Sequence, residues 1–179
     1  MNTLCDALRS TLILIDLQAR LMPAVDGGDN VVQRAMILAQ AARQLGVPVI
    51  GTEQNPEKLG HNIPAIRSLC DVTIAKSHFD ACARPQLSAL LDPRRDELIV
   101  AGCEAHVCVL QTALGLMRTG YQVRLVTDAI GSRHAHDRVT AIDRARTAGA
   151  GLVTSEMVLF EWLRHSNHPE FRDIIGLIK

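Results

Sequence analysis

Several things are scarce in this chain, and each scarcity removes a class of function. Lys plus Arg number 19 and Asp plus Glu number 19 over 179 residues. No block of like charges stands out, so the chain carries neither a nucleic-acid footprint nor a basic face for a membrane surface. The partners it predicts are a small-molecule substrate and further copies of itself. The five cysteines (5, 70, 82, 103 and 108) are odd in number and lack any CxxC pair, which speaks against a disulfide framework or a zinc site. No apolar run reaches the roughly 18 residues of a membrane span, and the N-terminus lacks a basic stretch leading into a long apolar core. These absences predict a protein of the reducing cytoplasm. No linker, repeat or low-complexity tract divides the sequence, so residues 1–179 are read as a single domain.

What is present alternates. Short apolar runs of strand character occupy Thr11 to Asp16, Val47 to Thr52, Asp71 to Lys76, Glu97 to Gly102, Gln122 to Ala129 and Gly151 to Thr154. Runs apolar on both faces belong to strands buried on both sides. Between them lie segments of helical spacing: Asn30 to Leu45, Arg84 to Leu91, Val107 to Thr119 and Asp137 to Ala148. Gly46, Gly120 and Gly149 close three of these in the manner of helix C-termini. Parallel strands require crossover helices. The pattern therefore predicts an α/β fold: a doubly wound, mainly parallel six-stranded sheet with helices on both faces, for which 3-2-1-4-5-6 is one strand order it allows. Ser155 is the expected N-cap of a first terminal helix, and "HPEFRDIIGLIK" supplies a second. Phe160, Trp162 and Phe171 in these helices read as packing or subunit interface.

Asp16, Lys76 and Cys108 fall at or just past the carboxyl ends of the first, third and fourth strands, hence on one edge of the sheet. Taken singly, each has an ordinary explanation: a turn cap, a surface lysine, a buried inert thiol. Taken together they make chemical sense. A carboxylate can accept a thiol proton, an ammonium can hold the resulting charges, and a thiolate can attack a carbonyl carbon. Cys108 opens a helix, where orphan N–H groups and the helix dipole favour thiolate over thiol. Lys76 must reach inward from two strands away.

The stretches "LILIDLQ", "TEQNPEKLG", "AKSHFDAC", "VAGCEAHVCVLQTA" and "VTDAIGSR" resemble the isochorismatase-like cysteine hydrolases, a family that includes nicotinamidases and N-carbamoylsarcosine amidohydrolases. "TEQ", "KSHF", "HPEF" and the "LIK" ending are most similar to the subgroup of isochorismatase domain-containing proteins. The resemblance implies a Rossmann-like three-layer sandwich and a catalytic triad of Asp16, Lys76 and Cys108. It also implies a non-proline cis peptide between Cys103 and Glu104, with the N–H groups of Glu104 and Cys108 forming an oxyanion hole. Cys103 is then a small apolar residue leading into the turn.

Departures from the family narrow the expectation. The segment "GTEQNPEKLGHN" holds Glu53 and His61 but no Asp-x-His, so neither a metal nor any other cofactor is expected. A cysteine at position 108 points away from the vinyl-ether chemistry of true isochorismatases. Gln54, His78, Phe79 and His106 are candidate substrate-binding residues, with turn-capping or packing as the alternative for each. His134 and His136 read as a helix-entry loop, beside "DAIGSR" with Asp128 and Arg133. The leading expectation is a metal-independent cysteine hydrolase, of amidase type, cleaving a small amide or related C–N bond. The alternatives are a binding or assembly protein that keeps the fold, an isochorismatase-type hydrolase, and thiol redox work by Cys103 and Cys108.

Overall fold

The computed structural model describes residues 4–179, and it realises the alternation strand by strand. In chain order the elements are β1 (Ser10–Ile15), α1 (Gly28–Gln44), β2 (Val49–Gln54), the single turns α2 (Pro56–Leu59) and α3 (Pro64–Arg67), β3 (Val72–Lys76) and the short α4 (Pro85–Ser88). There follow β4 (Glu97–Cys103), a wide π-type turn over Ala105–Val109, α5 (Leu110–Arg118), β5 (Gln122–Gly131), α6 (Ala135–Thr147), β6 (Gly151–Val153), α7 (Ser155–Leu163) and α8 (Phe171–Gly176). The six strands form one sheet in the order β3-β2-β1-β4-β5-β6. Every pairing is parallel.

Side chains on β1 alternate between two cores, as the two-residue period of a strand demands. Leu12 and Leu14 join the layer of α1, α7 and α8, whereas Ile13 and Ile15 join that of α5 and α6. Both layers exclude water, so β1 and β4 are buried along their whole length. The edge strand β3 is only half-buried.

Three local expectations change in the structure. The apolar spacing of Arg84 to Leu91 yields a single helical turn, Pro85–Ser88, because Leu87 and Leu91 are the buried anchors and the residues between them face water. Thr154, not Ser155, caps α7, accepting from the Met157 N–H at 3.3 Å. Ser155 is the first helical residue, and its N–H and hydroxyl both donate to the Asp128 carboxylate, at 2.7 and 2.6 Å. Among the C-terminal aromatics, Trp162 is core: it is buried, and its Nε1 donates to Ser10 Oγ at 3.0 Å. Phe160 is exposed and meets Phe171 edge to face.

Candidate active site

β1 and β4 are adjacent at the centre of the sheet, and the chain leaves both at their carboxyl ends in opposite lateral directions. That is where an open parallel sheet presents a crevice. Two backbone features shape it. Asp16 leaves β1 at φ 51°, a left-handed conformation that non-glycine residues adopt mainly where the surroundings enforce it. Gly102 stands at φ 126° with its Cα against β1; a Cβ there would lie 2.0 Å from the Ile15 carbonyl oxygen. Only glycine lets the two strand tips approach so closely.

The Asp16 carboxylate is fully buried and both its oxygens are engaged. Oδ1 accepts from Thr52 Oγ1 at 2.6 Å and Oδ2 accepts from Lys76 Nζ at 2.7 Å. Lys76 thus reaches inward over the tip of β2, and only 8% of its side chain is exposed. Gln54 supports that reach: its Oε1 accepts from Lys76 Nζ at 2.7 Å, while its Nε2 donates to the Ser77 carbonyl at 2.8 Å. Gln54 is fixed in turn by Gln18, whose Oε1 accepts from the Gln54 N–H at 2.8 Å and whose Nε2 donates to the Gln54 carbonyl at 3.0 Å. A charge-assisted bond buried in this way is shorter and stronger than a neutral one.

Cys108 sits in the π-type turn, 6% exposed, with its Sγ 3.9 Å from Gln54 Oε1. Burial pushes its thiol up to about 12; the nearby Asp16 charge pushes the same way, and the Lys76 ammonium pulls back. The helix-mouth expectation of a ready-made thiolate is therefore corrected. Desolvation of the sulfur outweighs the orphan N–H groups, and the resting group is a thiol with a carboxylate beside it. Cys103 is fully buried, and burial raises its thiol to about 12 as well, the opposite of what a redox-active pair needs.

The peptide between Cys103 and Glu104 is cis. The Glu104 carbonyl accepts from both Val107 N and Val109 N, at 3.1 and 3.2 Å. Its side chain turns to Arg133, Oε2 accepting from the Arg133 N–H and Arg133 Nε, both at 3.0 Å. His106 turns the same way: Nδ1 lies 3.0 Å from Ser132 Oγ and Nε2 3.8 Å from Asp137 Oδ2. Glu104 and His106, two residues apart, thus tie the turn to the loop between β5 and α6. Of the other candidates, His78 lines a cavity beside Lys76, and Phe79 is half exposed.

Glu53 and His61 face each other, Nδ1 to Oε2 at 2.9 Å, and Glu53 Oε1 also accepts from the Asn62 N–H at 2.9 Å. No group of three His, Cys, Asp or Glu side chains able to hold a metal converges among the described residues. Sequence reasoning passed over Gln18 and Thr52. The cue for both was position: each is a polar residue close to the carboxyl end of a strand.

A parallel doubly wound sheet with a carboxylate, an ammonium and a thiol at its carboxyl edge defines the class, an isochorismatase-like α/β domain. Residues 10–157 match the isochorismatase domain model, and the chain belongs to that family. Mouse isochorismatase domain-containing protein 2A is 37% identical over 172 residues, covering 95% of this chain and 82% of the mouse protein. Among solved structures, a protein described as the MAR1 ribonuclease of Caenorhabditis elegans is 34% identical, with a TM-score of 0.91 over 97% of this chain and 91% of its own. The Escherichia coli YcaC product, described as an octameric hydrolase of unknown specificity, is 25% identical, with a TM-score of 0.86 over 98% of this chain and 96% of its own.

Proposed function

We propose that the protein is a metal-independent cysteine hydrolase that cleaves a small amide or related C–N bond through a thioester on Cys108. The observation that supports this reading is the 2.7 Å bond from Lys76 Nζ to a buried Asp16 carboxylate, with the Cys108 sulfur within the electrostatic reach of both. Because the resting sulfur is a thiol, attack is coupled to proton transfer. As Sγ adds to the carbonyl carbon, its proton passes to Asp16, and the Lys76 ammonium steadies the charge on either atom. The N–H groups of Glu104 and Cys108 are the oxyanion donors, each worth about 2.7–4 kcal/mol in such a role. Asp16 returns the proton to the departing amine. It then takes one from the water that cleaves the thioester.

The same reading has the protein working in a reducing cytoplasm, consistent with free thiols at all five cysteines, and assembling into a homo-oligomer. The half-buried edge strand β3 and the exposed Met157 and Phe160 on α7 supply surface for assembly. No helix among the described residues is long and apolar enough to cross a membrane. RNA, the substrate implied by the name of the nematode relative, is disfavoured by 19 basic residues against 19 acidic, which leave little field for a phosphate backbone.

Ammonia release from a panel of small amides, with the intact mass followed for an acyl adduct, tests the reaction. The Cys108→Ala protein should release no ammonia and carry no adduct. Turnover persisting in that variant overturns the scheme.

A further inference from the structure

A cavity of about 180 Å³ opens beside the catalytic edge, between the end of β3 and the segment leading into α4. Its polar lining is Thr52, Lys76, Ser77, His78, Asp80, Arg84 and Gln86. Two of these tie it to the reacting groups, since Thr52 and Lys76 both donate to the Asp16 carboxylate.

The charges on this wall do not cancel. Lys76 is paired with Asp16. Asp80, the only acid lining the cavity, is already engaged by Arg118 at 3.0 Å and by the Cys82 N–H at 2.8 Å. Arg84 is the remaining charge, and it makes no ion pair or hydrogen bond with any described residue. His78 and Gln86 are exposed there as further donors; an imidazole donates at least one N–H in either protonation state. An uncompensated guanidinium flanked by neutral donors attracts an anion, and its planar fork fits a carboxylate through two parallel bonds. The volume sets the size. At roughly 30 Å³ per water-sized unit, 180 Å³ admits a molecule of about six non-hydrogen atoms.

We propose that this cavity binds the carboxylate of a short amide-acid, with Arg84 as the specificity-determining residue. The amide end then lies at the Thr52 and Lys76 side of the cavity, which borders the Asp16 carboxylate. The fate of the bound molecule rests on the hydrolase reading; its binding does not.

Calorimetric titration into the Cys108→Ala protein separates the two, because nothing is turned over during the measurement. Malonamate should bind at least tenfold more tightly than propanamide. Adding Arg84→Gln should erase that preference, and adding Arg84→Lys should restore part of it. Equal affinity for the two amides, no binding of malonamate, or a preference untouched by Arg84→Gln overturns the proposal. Ammonia release by the protein with Cys108 intact is scored separately. An Arg84-dependent preference without ammonia release keeps the site and sinks the hydrolase, while turnover of amides without a carboxylate preference does the reverse.

Discussion

Buried carboxylates stand at both ends of this sheet, and the difference between them separates chemistry from architecture. At the carboxyl end, both oxygens of Asp16 are taken up at 2.6 and 2.7 Å by Thr52 and Lys76. At the amino end, Glu97 begins β4, equally buried, but is held loosely. Its Oε1 accepts only long bonds, 3.4 Å each, from the Asp6 N–H and Ser10 Oγ. Its Oε2 accepts no hydrogen bond among the described residues and lies 3.9 Å from Arg124 Nε. Burial accordingly raises the Glu97 carboxyl above its usual range. A thiol accompanies each carboxylate. Cys5, near Glu97, is pushed far up by burial, then by Glu97 and Glu161. A cation opposes that trend at each end, Arg124 at Cys5 and Lys76 at Cys108. Burial raises both thiols; what sets the carboxyl edge apart is a lysine drawn in to 2.7 Å from its carboxylate, where Arg124 stays 3.9 Å from Glu97.

Breaking that edge should give the largest effect. Asp16→Asn should lower amide turnover by about 10²–10⁴-fold, the usual worth of a positioned acid–base group. The same change should make Cys108 more acidic, because it removes a negative charge that raises the thiol. Iodoacetamide alkylation followed against pH by intact mass reads this directly. The rate should climb without a plateau up to pH 10 in the unaltered protein, shift to lower pH in Asp16→Asn, and shift to higher pH in Lys76→Met. If Asp16→Asn moves the profile upward, the electrostatic account of the site is wrong.

Gly102→Ala tests the close approach of β1 and β4 that brings the edge together. The added methyl meets the Ile15 backbone in a left-handed conformation, and the loss should be about 3 kcal/mol of stability by urea titration. A milder loss would mean the strand tips separate easily.

The smallest effect is expected at the amino end, with the opposite sign. Because the folded-state pKa of Glu97 is raised, its ionisation favours the unfolded chain. The stability tied to that shift is fully present below the unfolded glutamate range, about pH 4.3, and is lost as pH rises through the folded value. Glu97→Gln should therefore match the unaltered protein near pH 4 and become the more stable of the two as the pH rises toward 8. Thermal unfolding across that range checks it, and a variant less stable at every pH would show that Glu97 is well paired after all.

Much of the site was legible because strand ends are legible. Asp16, Lys76 and Cys108 each follow an apolar run, and a parallel sheet brings such positions to one edge whatever the details. The need for Lys76 to reach inward was legible; what holds it there, the Gln54 amide with Gln18 behind it, was not. His106 and Glu104 lie next to Cys108 in sequence, yet their side chains serve the loop holding Ser132 and Arg133. Adjacency along the chain does not fix direction in a wide turn. The cap of α7 moved from Ser155 to Thr154 for a similar reason: Asp128, 27 residues earlier, claims the serine.

The sequence by itself determined the strand and helix alternation, and through it the doubly wound sheet, because hydrophobic periodicity and glycine stops act locally on the backbone. It also determined which residue types meet at the carboxyl edge. Only the tertiary structure decided the protonation of Cys108, because a thiol's acidity depends on how many atoms shield it from water and which charges stand within a few ångströms. Those distances are set by contacts among residues at or just past the ends of four different strands.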